Sequence, residues 1–235
     1  MEALAAMPFE VFSLVADRYD EWYRRHRVTA MNEARLVEEA LRGLPRPWVE
    51  VGVGTGFFAQ RLGIDLGVDP SPEMLRVARR RGVEAVQALG EALPLRASSI
   101  GAAVLVVTLC FLDDPLPVLR EAARAARPGG GLVACIVPRL SPWGIFYQER
   151  GSGGHPLYRV ARFYTVEELL GLLPHAGLEA ERILVSISYG PLEPPVPEEP
   201  REPLSPLDAE RYGFACIAAR KPGPRGEKGE AGWLG

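Results

Sequence analysis

Apolar positions change their spacing along this chain, and the changes divide it into elements. From Phe9 to Arg27 the residues Phe12, Val15, Tyr19, Trp22 and Tyr23 fall at near-helical spacing, which predicts a helix. A second helix is expected to be capped at Thr29 or Asn32 and to run through Leu41, with Gly43 and Pro45 ending it. Beyond Pro45, short apolar runs alternate with amphipathic stretches. The runs predict strands at Trp48 to Val51, Gly63 to Val68, Val83 to Ala88, Ala102 to Thr108 and Gly131 to Val137. Between them, helices are expected at Phe57 to Leu62, Pro72 to Arg81 and Pro115 to Arg127. Pro72 after Ser71 suits an early helical position, where a missing amide costs little. The unbroken apolar run from Ala102 to Leu109 reads as a central strand covered on both faces. Such βα alternation implies an α/β fold with a largely parallel sheet and helices on both faces.

The pattern then loosens. Residues 138 to 161 read as a long loop rich in Gly, Pro and aromatic residues, with short helical turns, expected to be lid-like. Two further strands are predicted at Leu178 to Tyr189 and Tyr212 to Lys221. The connector from Gly190 to Arg211 is proline-dense and acidic, and its lack of periodicity argues against a packed element. Residues 222 to 235 read as a tail. This division gives an N-terminal helical cap over residues 1–45 and one main domain over 46–221, with insertions near 138–161 and 190–211.

The stretch Trp48 to Ser71 reads W-V-E-V-G-V-G-T-G-F-F-A-Q-R-L-G-I-D-L-G-V-D-P-S. An apolar strand enters a Gly-x-Gly-x-Gly turn at Gly52, Gly54 and Gly56, a helix follows, and a second strand ends on Asp69. Glycines there allow unusual backbone angles and close approach of a ligand. An acid closing the second strand is placed to accept hydrogen bonds from ribose hydroxyls. The pattern is that of a grip on a nucleoside-containing cofactor. A dinucleotide fingerprint has one more residue before its third glycine. Glu50 just ahead of the turn would oppose a pyrophosphate, whereas it suits a cationic ligand such as S-adenosylmethionine.

With these residues in view, the chain resembles the class I S-adenosylmethionine-dependent methyltransferases of the small-molecule type, over roughly Tyr19 to Arg220. Further segments carry the resemblance: Val83 to Leu95, Val104 to Pro115, Leu119 to Gly131, Phe163 to Leu170 and Ala176 to Leu178. The resemblance implies a Rossmann-like, mostly parallel seven-stranded sheet with an antiparallel last strand. It implies S-adenosylmethionine as cofactor and S-adenosylhomocysteine as product. Glu50 would orient the turn and, through water, the methionine amino group. Gly52, Gly54 and Gly56 would floor the methionyl and ribose portion, Asp69 with the adjoining Pro70 would take the ribose, and Thr108 would border the transferred methyl. Tyr19, in the Tyr19-Asp-Glu-Trp-Tyr23 segment, would reach the methionyl carboxylate or else pack in a helix. The family often has Asp where this chain has Leu89. The adenine would then be held by the Gly90 and Glu91 backbone with packing from Leu89, or by the Glu91 side chain, which could instead cap a following short helix.

Composition narrows the setting. The chain has 235 residues, enough for a substantial core, and a formal net charge of −3 without a dense basic stripe. A nucleic-acid partner is therefore disfavoured; the resemblance implies a small-molecule methyl acceptor, in a monomer or homodimer. No apolar run of about 18 residues appears, and the first residues lack a signal-peptide pattern, so no membrane contact and a cytoplasmic setting are expected. Cys110, Cys135 and Cys216 form no Cys-x-x-Cys pair and read as buried, reduced thiols. No metal-ligand spacing appears. Of the three histidines, His155 in the 138–161 loop is a weak candidate base, while His26 and His175 read as a surface residue and a helix-end residue. Arg139, Tyr147, Arg162 and Tyr164 could receive an anionic acceptor or pair at the surface. The competing readings are the same fold acting on RNA or protein, a non-catalytic cofactor sensor, and a nicotinamide oxidoreductase, the last opposed by the glycine spacing and Glu50.

Overall fold

The alternation read from the apolar spacing is the architecture of the computed structural model, which describes Phe12 and residues 20–223. Residues 20–25 are helical. The elements that follow are α1 (Arg27–Leu41), β1 (Trp48–Val51), α2 (Phe57–Leu62), β2 (Leu66–Asp69), α3 (Pro72–Arg80), β3 (Ala85–Gln87) and β4 (Ile100–Val106). Then come α4 (Pro115–Ala125), β5 (Ala126–Ile136), α5 (Pro142–Ser152), α6 (Val166–Leu172), β6 (Glu179–Ser186), α7 (Pro206–Ala209) and β7 (Phe214–Arg220). The seven strands form one sheet in the order β3-β2-β1-β4-β5-β7-β6. All neighbours from β3 to β5 pair parallel, and β7 runs antiparallel between β5 and β6. Strand order reverses between β1 and β4, which opens a crevice at their carboxyl ends.

Period-two alternation divides the core between the two faces. Every residue of β4 is buried. Val104 packs with Leu36, Val37, Leu41 and Leu75 of α1 and α3, while its neighbour Leu105 packs with Val118, Leu119 and Leu169 of α4 and α6. Residues 27–41 thus share the main core, because α1 lays its apolar stripe on the sheet.

Several expectations change. Thr29 and Asn32 do not cap a helix: α1 begins at Arg27, with His26 before it, and both residues are buried inside it. Asn32 instead clamps the late connector, its Nδ2 donating to Val196 O at 2.8 Å and its Oδ1 accepting from Glu198 N at 2.9 Å. The 138–161 stretch holds more than short helical turns: α5 runs for 11 residues, capped by Ser141 with Pro142 at its first turn. The 190–211 connector is packed, contrary to its lack of periodicity. Val185 and Arg201 exchange both backbone hydrogen bonds, at 2.8 and 3.1 Å. The buried Glu198 carboxylate accepts from Ile187 N and Ser188 N, and that of Glu210 accepts from Leu140 N and Val166 N. Carboxylate-to-backbone bonds do here what an apolar stripe does elsewhere. No short helix follows Glu91; residues 90–95 form turns and bends around a 3.2 Å Ala92 N to Leu89 O bond.

The reduced state expected of the cysteines fails for Cys135 and Cys216, which are joined by a disulfide. They face each other in the β5–β7 register with Cα atoms 4.0 Å apart, a proximity that sequence spacing cannot show. Cys110 is a buried free thiol. The predicted helix over 9–27 lies outside the described residues up to Tyr19, Phe12 excepted, and so does the tail beyond Gly223. Among the described residues, no helix is long and apolar enough to cross a membrane.

Candidate functional site

The crevice between β1 and β4 is shaped by the turn after β1. Gly52 N and Val53 N both donate to Val68 O, at 2.7 and 3.0 Å, which folds the turn over the end of β2. Gly52 has φ +77°, and a Cβ there would stand 2.5 Å from both Cγ2 and Oγ1 of Thr108. Thr108 is held there because its Oγ1 donates to Val51 O at 3.0 Å, fastening the end of β4 to β1. Gly54 has φ +51° and nothing within 4 Å of its missing Cβ, so its bare backbone faces open space. Gly56 stands at the N-cap of α2.

Asp69 closes β2 against this turn. One carboxylate oxygen accepts from Gly54 N at 2.8 Å and the other from Ser71 N at 2.9 Å. Burial raises its pKa above the ordinary value, while those two amides oppose the rise. With roughly four lone-pair sites on a carboxylate and two in use, acceptor capacity remains. The resulting cleft, about 150 Å³, is bordered by Gly52, Gly54, Asp69, Pro70, Leu89, Gly90, Glu91 and Thr108. Leu89 presents an apolar side chain that is 45% exposed.

Two of the expected residues stand apart from that lining. Glu50 is buried and does not border the cleft. Burial drives its pKa well up, the Ala59 amide draws it down, and the Asp69 charge adds to the rise. One of its oxygens, Oε2, has no hydrogen-bond partner among the described residues. Gly56 does not border the cleft either; a Cβ on it would stand 3.0 Å from Ala78 and Val83 side chains. Tyr19 lies outside the described residues.

His155 is brought not to the cleft but to a second cavity of about 290 Å³. Its walls come from residues far apart in the chain: Trp22 and Tyr23, Glu33 of α1, Phe58 of α2, Val137 after β5, Tyr147 of α5, and residues 155–158. Val106, Val107 and Phe111 border both cavities, so the end of β4 is a shared wall. Val107 holds φ +54°, costly for a β-branched residue, and is fixed there by its N–H, which donates a hydrogen bond to Cys135 O at 2.9 Å. His155 stacks on Tyr158 at 4.3 Å between ring centroids. Burial and then the Arg150 charge lower its pKa, favouring the neutral ring.

Glu33 was not legible as a site residue, because it sits in a stretch of ordinary helix composition, N-E-A-R-L-V-E-E-A. It is 8% exposed and borders the second cavity. Burial pushes its carboxyl up to about 8. Among the described residues it has neither an ion pair nor a hydrogen bond. The N-terminal segment is tied to the turn: Asp20 pairs with Arg81, which also donates to Thr55 O at 3.1 Å, and Tyr23 stacks on Phe57 at 4.1 Å.

Residues 49–134, the stretch carrying the turn, Asp69 and Thr108, match the model of a methyltransferase domain. A Thermotoga maritima S-adenosylmethionine-dependent methyltransferase, described as a possible histamine N-methyltransferase, superposes with a TM-score of 0.83 at 35% identity, covering 91% of this chain and 99% of that one. The chain belongs to the S-adenosylmethionine-dependent methyltransferases. Its sheet is the Rossmann-like class I sheet of this family. An uncharacterized Mycobacterium tuberculosis protein is 43% identical over 164 residues, 69% of this chain and 58% of that protein. An uncharacterized Methanocaldococcus jannaschii protein is 31% identical over 170 residues, 72% of this chain and 81% of that protein. The chain thus spans less than two thirds of the length of its mycobacterial relative.

Proposed function

We propose that this methyltransferase transfers the methyl group of S-adenosylmethionine to a small molecule bound in the second cavity. The observation that carries the reading is the shared wall: the end of β4 separates a glycine-floored cleft from an apolar, aromatic cavity. When bound, S-adenosylmethionine supplies a sulfonium methyl, which passes to an acceptor lone pair as the carbon–sulfur bond's electrons return to sulfur.

The chain's residues fit that donor. Open space over Gly54 admits a ligand against bare amides, and the spare lone pairs of Asp69 suit two ribose hydroxyls. Pro70 borders the same end of the cleft. Leu89, with the Gly90 and Glu91 backbone, offers a flat apolar seat for adenine. Val107 belongs to the wall that the methyl must cross, and Thr108 adjoins it on the cleft side. Glu50 acts from behind the turn; its unpartnered Oε2 is the atom that a water bridging to the methionine amino group would use. Positioning and exclusion of water supply much of the acceleration in such a displacement. His155, neutral in its stacked place, is available to accept a proton from a protonated acceptor. The Thermotoga relative's description as a possible histamine N-methyltransferase favours a small nitrogen acceptor over a macromolecule.

Calorimetry with S-adenosylhomocysteine and, separately, NAD tests the donor. We expect S-adenosylhomocysteine to bind and NAD not to. No binding of the former at millimolar concentration, or tighter binding of the latter, overturns the reading.

A further inference from the structure

Glu33 is a buried carboxyl group that its own fold leaves unanswered among the described residues. It lies on α1, is 8% exposed, and points at no cation or donor among the described residues, yet it borders the second cavity. A carboxylate buried without a partner costs several kcal/mol in proteins generally, so natural chains pair it, protonate it or place it for a ligand. In the protein alone it is held largely protonated by burial. The rest of the cavity wall is suited to a positive guest. Trp22, Tyr23, Phe58, Tyr147 and Tyr158 surround it with aromatic rings, whose faces attract cations. Tyr147 and Tyr158 stack at 4.4 Å, which fixes their orientation.

Among the described residues no lysine or arginine borders this cavity; its titratable residues are Glu33, His155, Tyr23, Tyr147 and Tyr158. Arg150 acts on it only from beyond the wall, through its effect on His155 and Tyr158.

We infer that the second cavity is a receptor for a small aromatic or apolar amine, with the Glu33 carboxylate receiving its ammonium group inside the aromatic ring of residues. This rests on the acceptor cavity proposed above and names the class of molecule it takes. An amine can take up the Glu33 proton and leave an ammonium–carboxylate pair in the cavity, whereas a carboxylate or an alcohol meets the protonated group and gains no ion pair.

The test uses the full chain saturated with S-adenosylhomocysteine and three matched probes: 2-phenylethylamine, 2-phenylethanol and 3-phenylpropionate. Calorimetry on the unaltered protein should rank the amine at least about tenfold above the alcohol, with the carboxylate weakest, the scale of one buried charged contact. Glu33→Gln should remove that preference while leaving S-adenosylhomocysteine affinity within about twofold, since among the described residues the two cavities share only Val106, Val107 and Phe111. Equal or better binding of the alcohol or carboxylate, no amine binding at millimolar concentration, or a ranking unchanged in Glu33→Gln overturns the inference. The ranking is read on the unaltered protein, so it stands even if the variant folds poorly. Failure of S-adenosylhomocysteine to bind at all sinks the methyltransferase reading instead, which keeps the two failures apart.

Discussion

The donor cleft and the second cavity lie on either side of one wall but are built on opposite plans. The cleft takes its floor from one strand-turn-helix-strand unit, β1 to β2, and further walls from the stretches after β3 and β4; at the floor its contacts are backbone amides, bare glycines and one carboxylate already held by two amides. The cavity is gathered from the N-terminal segment, α1, α2, α5 and the loop after it, and its contacts are side chains. A backbone-built site demands particular residues at particular steps and tolerates little else. A side-chain-built site can change its guest by changing one wall residue while the fold stays put. The contrast teaches where conservatism and where specificity reside in this molecule, and substitutions can test it.

Gly52→Ala should have the largest effect. It adds a Cβ at φ +77° and drives it into Thr108, whose side-chain atoms stand 2.5 Å away. We expect a stability loss of about 3 kcal/mol, from left-handed strain plus displacement of the residue that fastens β4 to β1. Gly54→Ala carries the strain without the clash and should cost only about 1 kcal/mol of stability, while still obstructing S-adenosylhomocysteine. Urea melts with paired calorimetry separate these outcomes. Equal stability losses at the two positions would remove the claim that the turn is fixed by its contact with β4.

The same contrast explains what the sequence could disclose. β1 and α2 fall at their expected limits because a short apolar run and a glycine turn are local signals. Gly52, Gly54, Asp69 and Thr108 share one cleft because four adjoining pieces of chain carry them. Glu33 and Tyr158, by contrast, meet only through tertiary packing, and neither stands out among its neighbours. Pairing of Cys135 with Cys216 depends on a register set by β7 entering between β5 and β6. The packed state of residues 190–211 escaped notice because it depends on Asn32, Glu198 and Glu210 binding backbone groups, which leaves no hydrophobic period. α5 did have a local signal, Ser141-Pro142, matching Ser71-Pro72 ahead of α3.

Asp69→Ala should come next. Loss of hydrogen bonds to a charged acceptor should weaken S-adenosylhomocysteine by roughly 1–3 kcal/mol and leave amine binding in the second cavity unaltered. Unchanged cofactor affinity would reject the ribose role. Glu33→Gln should act on the other side of the wall, and through pH. Its folded-state pKa, about 8, lies above the ordinary 4.5, so folding takes up a proton between those values. Stability from this group is complete below the lower value and lost as pH climbs through the higher one. The variant should therefore differ little from the parent near about pH 5 and be more stable near about pH 9, by up to about 5 kcal/mol. A bound amine, by supplying the missing positive charge, should flatten the parent's pH slope. Parallel stability curves for the two proteins would show that Glu33 carries no burial penalty.

Leu89→Ser is the smallest change and the one that decides how the cleft holds its far end. Leu89 is 45% exposed, so an adenine ring laid against it covers only the remainder of an apolar side chain. Removing it should weaken S-adenosylhomocysteine by about 1 kcal/mol, near half the value of a fully buried leucine. Glu91→Gln distinguishes the alternative, since a side-chain contact to the adenine amino group would lose a charge-assisted bond and cost more than the serine substitution. If Leu89→Ser is felt and Glu91→Gln is not, the adenine end is held as the rest of the cleft is, by backbone amides and surface fit. If the order is reversed, the cleft has one charged side-chain contact for its base, and the two cavities are less unlike than their construction suggests.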